Sequence, residues 1–314
     1  MKRKALIISL KGTKLSNKEK ILLSKEQPWG VILFKRNLKS INQIKKLTRN
    51  IRELTKDNKF PIMIDEEGEK VSRLSRIIYH QITANFFGNL YKQDKIFCSK
   101  IYERYINSLS KFLHILGINI NTIPVLDVLR KNTNKIIGTR SFSKDRKIVN
   151  YLGKLTIKFL HLNKIAGIIK HIPGHGAATA DSHKRLPIVK LSLKELNKTD
   201  FYPFKLSKAK LAMTAHILYK NLDKNNVATL SKKIIRDVIR KKIGFKGIII
   251  SDDISMKALK YDLITNAKKS LNAGCNLILY CSGDINDNFK LIKSLPYIDK
   301  FTSKKTSELY KFLR

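Results

Sequence analysis

Residues 170–183 read Lys-His-Ile-Pro-Gly-His-Gly-Ala-Ala-Thr-Ala-Asp-Ser-His, with three histidines, an aspartate and two glycines in fourteen positions. Imidazoles and carboxylates at this density are groups for proton transfer or metal ligation, and the glycines let the loop turn tightly around them. A second dense stretch, Gly247-Ile-Ile-Ile-Ser-Asp-Asp253, ends an apolar run in paired carboxylates. An acid in such a place serves as a nucleophile, a metal ligand or a helix N-cap. Asp252 is read as the chemical one. Asp253 is read as capping or positioning, because Ser255-Met-Lys-Ala-Leu begins a helix-like run. Asp181-Ser182-His183 suggests an imidazole oriented by a carboxylate and ready to give or take a proton near neutral pH. Lys170-His171 fits substrate hydroxyls, and His175, between two glycines, is read as fixing its loop. Arg73 and Arg140 carry no local signal of their own.

These groups need elements to bring them together. Short apolar runs recur at Ala5–Leu10, Val31–Phe34, Pro61–Ile64, Ile118–Ile123, Ala166–Ile169, Leu211–Thr214, Gly247–Ile250 and Asn276–Tyr280. Each has the length of a fully buried strand. Helical patterns lie between them. Ser16/Glu19, Ser40/Gln43 and Ser192/Glu195 have capping-box spacing, and Ser231 is placed to cap a helix over Lys232–Lys242 that Gly244 ends. Eight strands alternating with helices predict a (β/α)8 barrel in a single domain over residues 1–314. An open doubly wound sheet is the rival, weakened because no glycine-rich dinucleotide fingerprint follows the first strand. Asp65, Asp127, Lys170, His171, His216 and Asp252 all fall at or just after predicted strand ends. In a barrel those ends share one face, so the six converge on one pocket.

The formal net charge is +40, from 64 Lys and Arg against 24 Asp and Glu. The lysines are spread along the whole chain rather than gathered in an arm, and Arg does not alternate with aromatics. The charge is therefore read as a compositional bias toward Lys, Ile and Asn, with no specific nucleic-acid partner. Cysteines 98, 275 and 281 are odd in number and lack metal spacing, so they are read as reduced thiols. The N-terminal apolar run is too short for a signal peptide, and no run spans a membrane. The expectation is a cytoplasmic protein with no membrane contact. A metal-dependent barrel hydrolase would use His171, His175, His183, His216 and Asp252, yet the H-x-H that usually marks such barrels is missing after the first strand.

Taken together, the motifs resemble family 3 glycoside hydrolases, most closely the single-domain bacterial β-N-acetylhexosaminidases of peptidoglycan recycling. KHIPGHG followed by DSH matches the subfamily's loop, and IISDDISM matches its nucleophile strand. GVILFKRN, IDEEGEKVSRL, IPVLDV, IIGTRSF, MTAHILY and AGCNLILYC follow in family order over nearly the whole chain. The resemblance implies a barrel and a retaining two-step mechanism without metal or cofactor. It implies Asp252 as nucleophile, His183 as general acid/base and Asp181 as its partner. Asp65, Arg73, Arg140, Lys170 and His171 match the positions that hold N-acetylglucosamine. The implied substrate is a muropeptide with N-acetylglucosamine at its non-reducing end, and a monomer is expected. Phosphorolysis, and an inactive basic protein that binds glycan or nucleic acid, stand as alternatives. The family pattern D-Q-E-G-G-R-V-Q-R reads here D-E-E-G-E-K-V-S-R, so Glu66, Glu69, Lys70 and Ser72 depart from it, and Ile172 replaces a Phe. Position 69 must accommodate a side chain, or the turn differs.

Overall fold

The computed structural model describes residues 2–182, 185–205 and 207–313. All eight apolar runs form strands, here β1 (Lys4–Ser9), β2 (Pro28–Leu33), β3 (Ile62–Ile64), β4 (Ile120–Asn121), β5 (Ala166–Ile172), β6 (Leu211–Thr214), β7 (Ile248–Asp253) and β8 (Leu277–Leu279). They pair in parallel, each with its neighbours in sequence, and β8 returns to β1 to close the barrel through Leu6–Ile278 and Ile7–Leu279. The expected (β/α)8 barrel is therefore the fold.

Buried on both faces, the strands still alternate. Ile7, Ile32, Met63, Ile168 and Ile250 belong to one cluster that fills the barrel interior. Their neighbours Ile8, Val31, Ile62, Ile169 and Ile249 belong to a second cluster, shared with the surrounding helices. The N-terminal end of the barrel is plugged. Trp29, 1% exposed, donates its indole N–H to Thr306 Oγ1 at 2.9 Å, and Leu309 and Leu313 join the interior cluster. Open polar space is left to the C-terminal end.

The helix signals vary in how fully they form. Ser16/Glu19 and Ser192/Glu195 make reciprocal capping boxes. Ser40 receives the Gln43 N–H, but the Gln43 side chain accepts from Lys39 N instead of Ser40 N, so only half of that box exists. Ser231 Oγ accepts Ile234 N at 3.0 Å, and the segment Ile234–Lys242 is π-wound before Gly244 at φ +78°. No helix begins at Ser255: residues 254–261 are turns and irregular chain, and the next helix, Leu263–Ala273, is capped by Asp262. No helix among the described residues is long and apolar enough to cross a membrane.

Candidate active site

Two strands run further than their apolar cores suggest. β5 continues through Lys170-His171-Ile172 and β7 through Asp252-Asp253, carrying polar side chains on rigid backbone to the barrel mouth. A cavity of about 290 Å³ lies there. Asp65, Arg73, Arg140, Lys170, His171 and Asp252 all line it, together with Glu67, Phe34, Ser182 and Cys281. Met213 and Leu279, which also belong to the barrel interior, make its floor.

Asp252 sits in a closed ring of hydrogen bonds. Its N–H donates to Thr214 Oγ1 (3.3 Å), Thr214 and Thr229 share a hydroxyl contact (2.8 Å), and Thr229 Oγ1 meets His216 Nδ1 (2.7 Å). His216 Nε2 lies 3.0 Å from the Asp253 carbonyl oxygen, which only accepts, so Nε2 bears a proton. Burial pushes the His216 proton affinity down, and the Asp252 charge acts against it. Asp252 Oδ1 takes the Asp253 N–H at 2.8 Å, and among the described residues Oδ2 accepts no hydrogen bond. Burial would raise the Asp252 pKa, but the fields of His216 and His171, the Asp253 N–H and Lys170 outweigh it and hold the carboxyl below the usual range. The result is a half-buried, ionised carboxylate with one oxygen that no described residue engages. Asp253 does different work. It accepts from Ser255 N (3.1 Å), Ser255 Oγ (2.7 Å) and Cys281 N (3.2 Å), tying a turn in place rather than capping a helix.

On the opposite rim, charge pairs replace the hydroxyl ring. On extended backbone, residues 65 and 67 share a face and residue 66 points away. Asp65 Oδ2 accepts from Arg73 Nη2 at 2.8 Å, and Oδ1 meets Thr122 Oγ1 and lies 3.4 Å from Lys170 Nζ. Glu67 accepts two bonds from Arg140 (Nε to Oε2 2.7 Å, Nη2 to Oε1 2.9 Å) and contacts Lys170 Nζ at 2.6 Å. Burial opposes ionisation of both acids. Lys170 with Arg73 overcomes it at Asp65, and Arg140 with Lys170 overcomes it at Glu67, whose pKa falls to about 2. Glu67 was not singled out from sequence, although its alternation with Asp65 is the signal that finds it. Arg73 also stacks its guanidinium on Phe34, 4.9 Å from the ring centroid.

Asp127, placed at a strand end by the sequence but given no role, joins the two halves. Oδ2 is 2.7 Å from His171 Nδ1, and Oδ1 accepts the N–H groups of His171 (3.2 Å) and His175 (2.6 Å). His171 Nδ1 is thereby committed, and Nε2 is the ring nitrogen left for a ligand. His175 is buried, with burial taking its pKa down to about 4, and it also lines the cavity. Gly176 packs so closely that a Cβ there would lie 1.9 Å from Val128 O. Asp181 is described, whereas His183 lies outside the described residues, so the expected Asp181–His183 pair has no geometry to report. Ser182, next to both in sequence, lines the cavity, and its carbonyl accepts from Ala258 N at 3.2 Å. Among the described residues no three His, Cys, Asp or Glu side chains are grouped to hold a metal ion. Cys98, Cys275 and Cys281 are unpaired thiols.

The departures in the 65–73 segment fit the fold. Glu69 and Lys70 are exposed, so position 69 has room for its side chain. The tight point is Gly68, at φ +142°, where a Cβ would lie 2.5 Å from Ile82 O.

A (β/α)8 barrel with an ionised carboxylate at one strand end and buried charge pairs at others defines a barrel with a polar, blind pocket at its C-terminal mouth. Residues 2–303 match the glycosyl hydrolase family 3 N terminal domain. The chain is 34% identical over 306 residues to a beta-hexosaminidase of Haemophilus influenzae, covering 93% of this chain and 85% of that protein. It is 31% identical over 309 residues to one of Nitrosomonas eutropha, covering 97% and 87%. The structure of NagZ from Neisseria gonorrhoeae in complex with N-trifluoroacetyl-D-glucosamine has a TM-score of 0.89 at 29% identity, covering 98% of this chain and 90% of that one. The beta-N-acetylglucosaminidase of Thermotoga maritima has a TM-score of 0.82 at 26% identity, covering 99% and 67%. The chain belongs to glycosyl hydrolase family 3, and it is an enzyme of the β-hexosaminidase type.

Proposed function

We propose that the chain is a retaining exo-β-N-acetylglucosaminidase, one catalytic domain over residues 1–314, that removes non-reducing N-acetylglucosamine from muropeptides during cell-wall recycling in the cytoplasm. The observation that carries this reading is Asp252: half-buried, held ionised, and with Oδ2 engaged by no described residue, at a cavity it shares with Asp65, Glu67, Arg73, Arg140, Lys170 and His171. In the first step Oδ2 attacks the anomeric carbon, the glycosidic C–O bond breaks, and the leaving oxygen takes a proton from His183. In the second, water loses a proton to His183 and displaces Asp252, which regenerates both groups and keeps the anomeric configuration. Asp181 orients His183 in this scheme. The role of His183 rests on the family resemblance and on its position directly after cavity-lining Ser182.

Asp65, Arg73, Arg140, Lys170 and His171 hold the sugar hydroxyls. Their charge-assisted bonds help most where they tighten as the ring gains oxocarbenium character. The cavity floor of Met213 and Leu279 closes the barrel beneath the sugar, which favours a chain end over an internal unit. The test is release of nitrophenol from 4-nitrophenyl N-acetyl-β-D-glucosaminide in EDTA buffer, with and without phosphate, followed by an N-acetylglucosaminyl-anhydromuramoyl peptide. Turnover of both in EDTA, with the β-anomer as first product and no sugar 1-phosphate, is expected. Turnover that needs a metal, or that yields a sugar phosphate, would contradict the proposal.

A further inference from the structure

Glu66 lies between two residues of the proposed sugar subsite yet faces away from it. It is 1% exposed. Its backbone is locked to Asn121, with Glu66 N donating to Asn121 Oδ1 (3.0 Å) and Asn121 Nδ2 to Glu66 O (2.9 Å). Oε2 accepts the backbone N–H of Arg73 (2.8 Å) and of Leu74 (3.0 Å), so this one oxygen fixes the point from which the Arg73 side chain reaches Asp65. Oε1 is buried and, like His80 Nδ1, has no hydrogen-bond partner among the described residues. The group set against it is His80 Nε2, at 3.4 Å.

Glu67 N donates to Val71 O (2.8 Å) and Gly68 pairs antiparallel with Val71, so residues 66–74 form a small hairpin, and His80 belongs to the stretch that clamps it from outside. Two residues on, Ile82 O accepts Glu69 N at 3.0 Å and presses against Gly68. Tyr105, on the helix Lys95–Ile115, closes the third side, edge-on to the His80 ring at 6.3 Å. Burial raises the Tyr105 pKa and the Glu66 charge raises it further, which keeps the phenol neutral.

We propose that Glu66 and His80 are a positioning pair for the sugar subsite, with His80 giving Oε1 a donor so that a carboxylate can hold the Arg73 and Leu74 amides. An amide at position 66 needs no such donor, because its single carbonyl oxygen can take both N–H groups and its NH2 can face a histidine acceptor. Removing the donor from a buried carboxylate leaves that charge uncompensated, and the hairpin is the part free to move. The effect reaches the sugar through Arg73 and Asp65, so it falls on binding and leaves Asp252 alone. The inference rests on the reading of Asp65 and Arg73 as sugar binders.

Wild type, His80→Ala, Glu66→Gln and the double variant are compared in KM and kcat on 4-nitrophenyl N-acetyl-β-D-glucosaminide, and in hydrogen exchange of the peptide spanning residues 66–76. His80→Ala is expected to raise KM about tenfold with kcat little changed, and to speed exchange of that peptide. Adding Glu66→Gln is expected to return both to within about twofold of Glu66→Gln alone. His80→Gln, which keeps a donor, covers the case in which His80→Ala does not fold, and is expected to retain the wild-type KM. An unchanged KM and exchange rate in His80→Ala, or defects that Glu66→Gln does not relieve, would overturn the pair. A wild type that releases no nitrophenol would overturn the functional reading instead, and the exchange data would still decide the pair.

Discussion

The two rims of the cavity hold their side chains by different means. On the β6–β7 side, Asp252 is fixed by strand backbone and a ring of hydrogen bonds through Thr214, Thr229 and His216. On the β3 side, Asp65 and Glu67 are fixed by Arg73, Arg140 and Lys170, and the supporting chain is a hairpin. A nucleophile must be aimed and left ionised, and neutral bonds to its backbone aim it without consuming its second oxygen. A sugar-binding rim must offer many charged donors and acceptors. These stabilise one another until hydroxyls arrive.

The largest effect expected from this contrast is on the first rim. Asp252→Asn keeps an acceptor for the Asp253 N–H, so the fold should persist while kcat/KM falls by about 10⁴ or more. An unfolding curve that matches wild type alongside residual activity below that bound would confirm a purely chemical role. His183→Ala should slow muropeptide cleavage by roughly 10²–10⁴ and aryl glycosides with good leaving groups far less, because only the former need a proton on the leaving oxygen. Equal losses on both substrates would remove His183 from the acid role.

The second rim should fail by stability before chemistry. Glu67→Ala strands buried Arg140 and Lys170, and an unfolding titration should show a loss of about 3–5 kcal/mol. A loss under about 1 kcal/mol would mean that the charge network is held by its surroundings. The pH dependence of stability adds a second readout. His175 has a folded pKa lowered to about 4, so the unfolded chain binds its proton first on acidification. Stability should therefore fall by up to roughly 3 kcal/mol between about pH 6.5 and 4. Asp65, Glu67, Asp127 and Asp252 are held low, so their contribution is complete above the ordinary carboxylate range and is lost only as pH falls from there toward about 2. His175→Phe should shrink the first phase, to which His161 and His216 also contribute because burial lowers both, and leave the second. The smallest effect lies away from both rims: Ser192→Ala breaks a capping box on a six-residue helix and should cost about 1 kcal/mol without changing kcat or KM.

The same contrast explains what could be read from sequence. Residues carried by strands were legible, because buried parallel strands are short β-branched runs and their C-terminal ends share one face. Asp65, Lys170, His171 and Asp252 came from that rule alone. Arg73 and Arg140 were placed by family resemblance, since nothing local distinguishes an arginine that folds back onto a carboxylate. Glu67 was overlooked among three nearby glutamates, though its alternation with Asp65 marks it. His80 was invisible, because its partner is fourteen positions away in sequence and on a loop without periodicity. The helix expected from Ser255 failed for a local reason: Asp253 spends both oxygens on Ser255 and Cys281, which makes a turn and leaves no cap.

The central claim is that Asp252 attacks the sugar, and covalent trapping tests it most directly. The enzyme would be incubated with 5-fluoro-N-acetylglucosaminyl fluoride, digested, and its peptides sequenced by mass spectrometry. A glycosyl adduct on Asp252, absent from Asp252→Asn, is the predicted result. An adduct on Asp253 or Asp65, or turnover with inverted configuration and no adduct, would contradict it.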